Sequence, residues 1–187
     1  TNVKTRGTWG EVQLGAMLHD VGDFKYATEG EDHKETIKKL LISNNYPVDK
    51  ISGVLEIIDN VSYRHELAHG CSPDKIRYWN EFCVVQDSDR LDAIGAIGVA
   101  RCFAYTGRKN VLFYVPGQKP ARHMTAEEYN EQTKNNAGSA RAHFEEKLLK
   151  LVDLMKTESG KVEAARRQAF MKSFLENFDQ ECGLQFS

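Results

Sequence analysis

Val84–Phe103, VVQDSDRLDAIGAIGVARCF, lies inside a helical pattern that runs from about Glu81 to Tyr105 and is closed by Gly107. Gly95 and Gly98 would weaken an isolated helix by roughly 1 kcal/mol each, which points to close helix packing there. Asp87, Asp89 and Asp92 crowd the front of this otherwise apolar stretch. Carboxylates repel one another, so the cluster needs a cation, an arginine or water to hold it. At about 100° per residue Asp89 and Asp92 share a side while Asp87 points nearly the opposite way. Only one of Asp87 and Asp89 therefore faces a given metal ion. Asp87, three residues before Arg90, reads as its salt-bridge partner, and Asp89 as the ligand.

Helical spacing continues on both sides. Val12, Gly15, Ala16, Met17 and Leu18 form a short apolar helix ending near His19-Asp20, and a loop follows from Asp23 to Asp32. Ile37, Leu40 and Leu41 repeat until Asn44, Asn45 and Pro47 stop them. Ile51, Val54, Leu55 and Ile58 fall on one face of a third helix that begins after Asp49. Gly70–Pro73 is a break. Beyond Tyr105, the stretch 106–123 reads as a loop or a short hairpin around Val111–Val115. Thr125 and Glu128 have the spacing of a capping box. Phe144, Leu148, Leu151, Val152 and Met155 mark a core stripe, and Val162–Phe178 is the last amphipathic helix. The expected fold is all-α, a single domain over 1–187.

The 187 residues, 41% hydrophobic, are enough for a real core, and the net charge of -2 leaves no global excess of cations to hold a nucleic acid. Any phosphate recognition must be local. Cys71, Cys83, Cys102 and Cys182 lack C-x-x-C spacing and read as reduced thiols of a cytoplasmic protein. No apolar run is long enough to span a membrane.

His19-Asp20 places an imidazole beside a carboxylate, a pair able to reach one divalent cation. Alone it is weak, since about one chain in three of this composition carries the dipeptide by chance. Taken with LGAMLHDVGD (14–23), EIIDNVSYR (56–64), QDSDRLDAIGAIG (86–98), HFEEKLLKL (143–151) and AFMKSFLENFDQE (169–181), it makes the chain resemble the HD-superfamily phosphohydrolases. Within them, the chain is similar to the YpgQ/YedJ-like nucleotide hydrolases. The resemblance implies an HD-domain helical bundle in which one divalent metal, Mn²⁺ or Mg²⁺, is held by His19, Asp20 and Asp89. It places Asp23 where related enzymes carry the acid that handles the attacking water.

A phosphate substrate needs cations as well. Lys25 and Arg64 are candidates beside Asp23 for the catalytic set. Arg64 lies in the Ser62-Tyr63-Arg64 stretch shared with the resembling proteins. Arg90, His143 and Lys147 are candidate substrate contacts, the last two four residues apart on one helix face. Each of these charges is equally well placed to be a solvated surface group. The substrate implied is a nucleotide, most naturally a (deoxy)nucleoside triphosphate cleaved to release pyrophosphate. A 5'-nucleotidase and a nucleotide-binding HD domain without catalysis are the alternatives. The oligomeric state is open, a homodimer included.

One family element is missing. The pattern implied by the resemblance begins with a histidine on a helix roughly 25 to 35 residues before the HD pair, far enough for a helix, a turn and a return to the metal. Only 18 residues precede His19 here, and Thr1–Leu18 contain no histidine. Either a preceding segment carries this ligand, which is the expectation, or one metal ligand has been lost and with it much of the affinity. His19, Asp20 and Asp89 would then converge on an incompletely liganded site, with His33, His65 and His69 as weaker substitutes.

Overall fold

The third predicted helix shows how the N-terminal half is organised. Its i, i+3, i+4, i+7 stripe becomes α3, Val48–Val61, whose Ile51, Val54, Ile57 and Val61 are buried. In the computed structural model the described residues are 9–21, 33–121, 125, 127–128, 131, 135 and 138–183. The chain divides into two compact units, Thr1–Gln86 and Asp87–Ser187.

In the first unit α3 is the central element. α1, Trp9–Leu18, and α2, His33–Ser43, both pack against it, and α4, Tyr63–His69, follows it directly. Ile37, Leu41, Ile51 and Val54 form one buried cluster; Ile57, Val61, Ile76, Tyr78, Phe82, Cys83 and Val85 form another. Gly15 seats α1, because a Cβ there would stand 2.9 Å from Ile57 Cγ2. α2 stops as expected, with Asn45 left-handed at φ 58° and Pro47 introducing α3. Ser62 caps α4, its hydroxyl accepting from His65 N at 3.0 Å.

α5, Trp79–Asp92, begins in the first unit and ends in the second. The single helix expected over Glu81–Tyr105 is two helices. Ile94 is extended at φ -125°, and α6, Gly95–Lys109, starts on Gly95 at φ +77°. That backbone is strained for any residue with a Cβ, and a Cβ at Gly95 would also meet the Arg167 side chain at 2.9 Å. The close approach expected at Gly95 thus exists, but it is made at a break and not along a helix.

The helix expected to close at Gly107 runs on to Lys109 and ends at Asn110, left-handed at φ 56°, so the expected loop begins four residues late; from Asn110 to Ala121 the loop reading holds over the hairpin reading. Leu112 forms an isolated parallel bridge to Ser139, with Ala140 N donating to Leu112 O at 3.0 Å, and there is no strand among the described residues. The capping box forms reciprocally, Thr125 N to Glu128 Oε2 at 2.8 Å and Glu128 N to Thr125 Oγ1 at 3.2 Å. The stripe from Phe144 to Met155 is divided between α7, Ala140–Glu146, and a 3₁₀ helix, Leu148–Leu154, with Lys147 at φ -136° between them. α8, Glu158–Glu181, packs on α6 and on the 3₁₀ helix. Phe103 of α6, partly buried, meets α8 at 5.8 Å from Phe174 and 5.6 Å from Phe178 between ring centroids. No described helix is long and apolar enough to cross a membrane. All four cysteines are free thiols.

Candidate functional site

His19 and Asp20 occupy the turn that ends α1. His19 N donates to Gly15 O at 3.1 Å and Val21 N to Leu18 O at 3.0 Å, so the backbone is fixed on both sides of the pair. The imidazole is fixed too. Nδ1 lies 2.8 Å from Ala16 O, and because a carbonyl only accepts, Nδ1 carries the proton and Nε2 the lone pair in the neutral ring. Nε2 then stands 3.5 Å from Asp20 Oδ1. Neighbouring ligands about 2.1 Å from one octahedral ion are roughly 3 Å apart, so this nitrogen and this oxygen suit a shared divalent cation in both kind and spacing. A carbonyl holding the far nitrogen is the usual way a histidine ligand is oriented. Among the described residues no three or more His, Cys, Asp or Glu side chains form a group that could hold a metal ion. The local geometry therefore supplies a donor pair; the wider ligand set rests on the family resemblance.

Asp23 and Lys25 lie outside the described residues. Arg64 is exposed on α4, where Lys34 and Asp59, joined by a 2.8 Å ion pair, and His65 and His69 share its neighbourhood. Burial, then His69, hold the His65 imidazole below its ordinary pKa of 6.5; Arg64 and Lys34 act in the same direction and Asp59 against it.

In the second unit, Asp89 is partly buried on α5 and Asp92 is exposed, paired with Arg101. The substrate role expected of Arg90 meets a side chain only 2% exposed, which gives an N–H from Nη1 to Leu154 O at 2.6 Å. This arginine is tied to the interior of its unit. His143 and Lys147 are half-buried, but Lys147 is the residue at which α7 ends, so the regular helix face expected to carry both stops there. The salt bridge expected between Asp87 and Arg90 gives way to other partners: Arg90 donates to Leu154 O, and Asp87 is taken up at the start of the last helix. The Asp87 carboxylate accepts from Lys156 N, Thr157 N and Thr157 Oγ1, closing the start of α8.

Sequence reasoning missed this junction because its donors lie about seventy positions away and two are backbone groups. The visible signal was Thr157 followed three residues later by Gly160, whose missing Cβ leaves room for Asp87 Oδ2.

No family model matches the chain. The Bacillus subtilis protein YpgQ is 30% identical to it over 170 residues, 91% of this chain and 71% of YpgQ. The structure of YpgQ in complex with ADP is similar at a TM-score of 0.70 and 28% identity, over 95% of this chain and 79% of that one. A Lactobacillus plantarum protein of known structure is similar at a TM-score of 0.78 and 36% identity, over 96% of this chain and 79% of that one. An HD-superfamily hydrolase from Bacillus thuringiensis gives 0.65 and 34%, over 96% and 77%. With YpgQ matched across most of both sequences and an HD-superfamily hydrolase matched in structure, the chain belongs to the HD superfamily of metal-dependent phosphohydrolases.

Proposed function

We propose that the protein hydrolyses nucleotides, as a (deoxy)nucleoside triphosphate pyrophosphohydrolase that cuts between the α and β phosphates. The observation that carries the metal-dependent part is the His19 ring, whose Nδ1 is held by Ala16 O while Nε2 faces the Asp20 carboxylate. The nucleotide part rests on similarity to YpgQ, a protein solved with ADP.

In this reading His19 and Asp20 hold a divalent ion, Mn²⁺ or Mg²⁺, and Asp89 joins them as the resemblance implies. Held there, such an ion would supply Lewis acidity to a phosphate substrate and lower the pKa of water. Asp23 orients the attacking water and takes its proton. Water oxygen bonds to the α phosphorus as the bond to the α–β bridging oxygen breaks, and the products are a nucleoside monophosphate and pyrophosphate. Lys25 and Arg64 neutralise phosphate charge, with His143 and Lys147 as further substrate contacts. Arg90, buried and bonded to Leu154 O, takes no substrate role in this reading.

A metal-supplemented screen of nucleotides with product identification tests the proposal. Pyrophosphate from a triphosphate supports it. Orthophosphate from a monophosphate replaces it with the 5'-nucleotidase reading, and nucleotide binding without turnover with the non-catalytic one.

A further inference from the structure

Two imidazoles outside the helix-end pair share one side of α4. His65-Glu66-Leu67-Ala68-His69 has H-E-x-x-H spacing, which brings two histidine rings one turn apart onto one face of a helix. Their ring centroids are 4.6 Å apart, with planes inclined at 54°. Two imidazoles on one ion, with nitrogen–metal distances of about 2.1 Å and a ligand angle between about 90° and 110°, have centroids roughly 4.6 to 5.3 Å apart. The observed pair already has that separation.

The surroundings fit a ligand pair better than a structural one. Among the described residues neither ring donates or accepts a hydrogen bond, whereas a histidine retained for packing ordinarily commits a ring nitrogen to a carbonyl or carboxylate. The turn that presents the rings is held at both ends: Ser62 Oγ accepts from His65 N at 3.0 Å, Gly70 N donates to Glu66 O at 2.8 Å, and Lys75 Nζ donates to His69 O at 2.9 Å. His65 is half-buried and His69 exposed, so an ion can reach both. Glu66 accepts the Cys71 thiol at 3.0 Å and so is occupied away from the role of general base that the glutamate of this spacing plays in metalloproteases. The site therefore reads as one for binding and not for a second hydrolysis.

The donor atoms decide which ion. Hard ions such as Mg²⁺ or Ca²⁺ take oxygen ligands, while borderline ions gain most from a pair of imidazole nitrogens. We propose that His65 and His69 form a binding site for one borderline divalent transition ion, with water completing its coordination, separate from the ion held by His19 and Asp20.

Ni²⁺ titration of the chelator-stripped full chain in saturating Mg²⁺, followed by calorimetry and by the imidazole resonances, tests this. The expected result is a binding event in which the His65 and His69 resonances broaden first. It should weaken about tenfold or more in both His65→Ala and His69→Ala and persist in His19→Ala. Circular dichroism of the variants separates lost binding from lost folding, and His69, being exposed, keeps the comparison open if His65→Ala unfolds. Ni²⁺ affinity within about threefold of the parent in His69→Ala would overturn the site. So would an event abolished by His19→Ala alone, which would assign the ion to the helix-end pair.

Discussion

Asp87 closes the N-terminus of α8 through Thr157, its Oδ2 accepting both the backbone N–H and the hydroxyl at 2.7 Å. Thr157 Oγ1 in turn accepts from Gly160 N at 3.0 Å, so a residue on α5 and the cap of α8 form one relay. Asp87 is 3% exposed, so its loss strands donors away from bulk water. Asp87→Ala is expected to cost about 2–4 kcal/mol, combining a lost helix cap with lost hydrogen bonds to a charged acceptor. Gly160→Ala should destabilise as well, although Gly to Ala inside a helix ordinarily gains up to about 1 kcal/mol, because the new Cβ would press on Asp87 Oδ2 and Thr157 Oγ1. Urea midpoints measure both, and unchanged Mn²⁺ affinity in Asp87→Ala would separate this role from that of Asp89.

Gly15→Ala poses the same conflict in the first unit. Helix propensity alone favours alanine, but its Cβ would sit 2.9 Å from Ile57 Cγ2 and 3.5 Å from Val85 Cγ2. Ile57 is fully buried and cannot swing aside, so α1 must shift. We expect a loss of about 1–3 kcal/mol from overpacking, together with weaker metal binding, because His19 follows Gly15 by one helical turn. A higher unfolding midpoint would show that α1 accommodates the methyl group.

The fold class was legible because the apolar residues of α3 and α8 repeat at helical spacing whatever they pack against. The Thr125–Glu128 box was legible because both partners lie within one turn. The break at Ile94-Gly95 was not, since glycine in a helical pattern signals close packing as readily as a stop, and only Arg167, more than seventy residues on, shows which. The same holds at Lys147, where the apolar stripe runs on although the helix type changes. At the site, the HD pair was readable from adjacency. Its orientation was not, because Ala16 contributes only a backbone carbonyl, to which sequence is blind. The burial of Arg90 was hidden likewise, its acceptor being the Leu154 carbonyl.

If Asp89 is a metal ligand, Asp89→Ala should abolish Mn²⁺-dependent turnover and weaken Mn²⁺ binding while leaving the urea midpoint within about 1 kcal/mol of the parent. Exhaustive chelation should stop hydrolysis and added Mn²⁺ or Mg²⁺ restore it. Metal titration and product release, measured on one preparation, check both. Turnover that survives chelation would remove the metal from the mechanism.

Arg64→Ala and Lys25→Ala should raise KM or lower kcat by about tenfold or more without removing metal, since a lost phosphate partner costs charge stabilisation but no ligand. Arg64 is exposed on α4, so its truncation should leave the fold intact. Wild-type kinetics with full metal affinity in both variants would return these residues to the solvated surface.

The His65 imidazole gives the pH dependence of the first unit a definite sign. Burial, the largest cause, and then His69 hold it below the ordinary value of 6.5. A folded-state pKa below the unfolded one means that the unfolded chain binds more protons between the two values, so this group's contribution to stability is present above about 6.5 and declines as pH falls through that window. In a chelator-containing buffer, the His65 ring should titrate below 6.5 by NMR. His69→Ala should move the midpoint upward only part of the way, because burial remains, and Asp59→Asn should move it further down, because Asp59 is the neighbour that favours the charged ring. A midpoint at or above 6.5 in the parent, or an upward shift in Asp59→Asn, would show that His65 is solvated and that its neighbours do not set its charge.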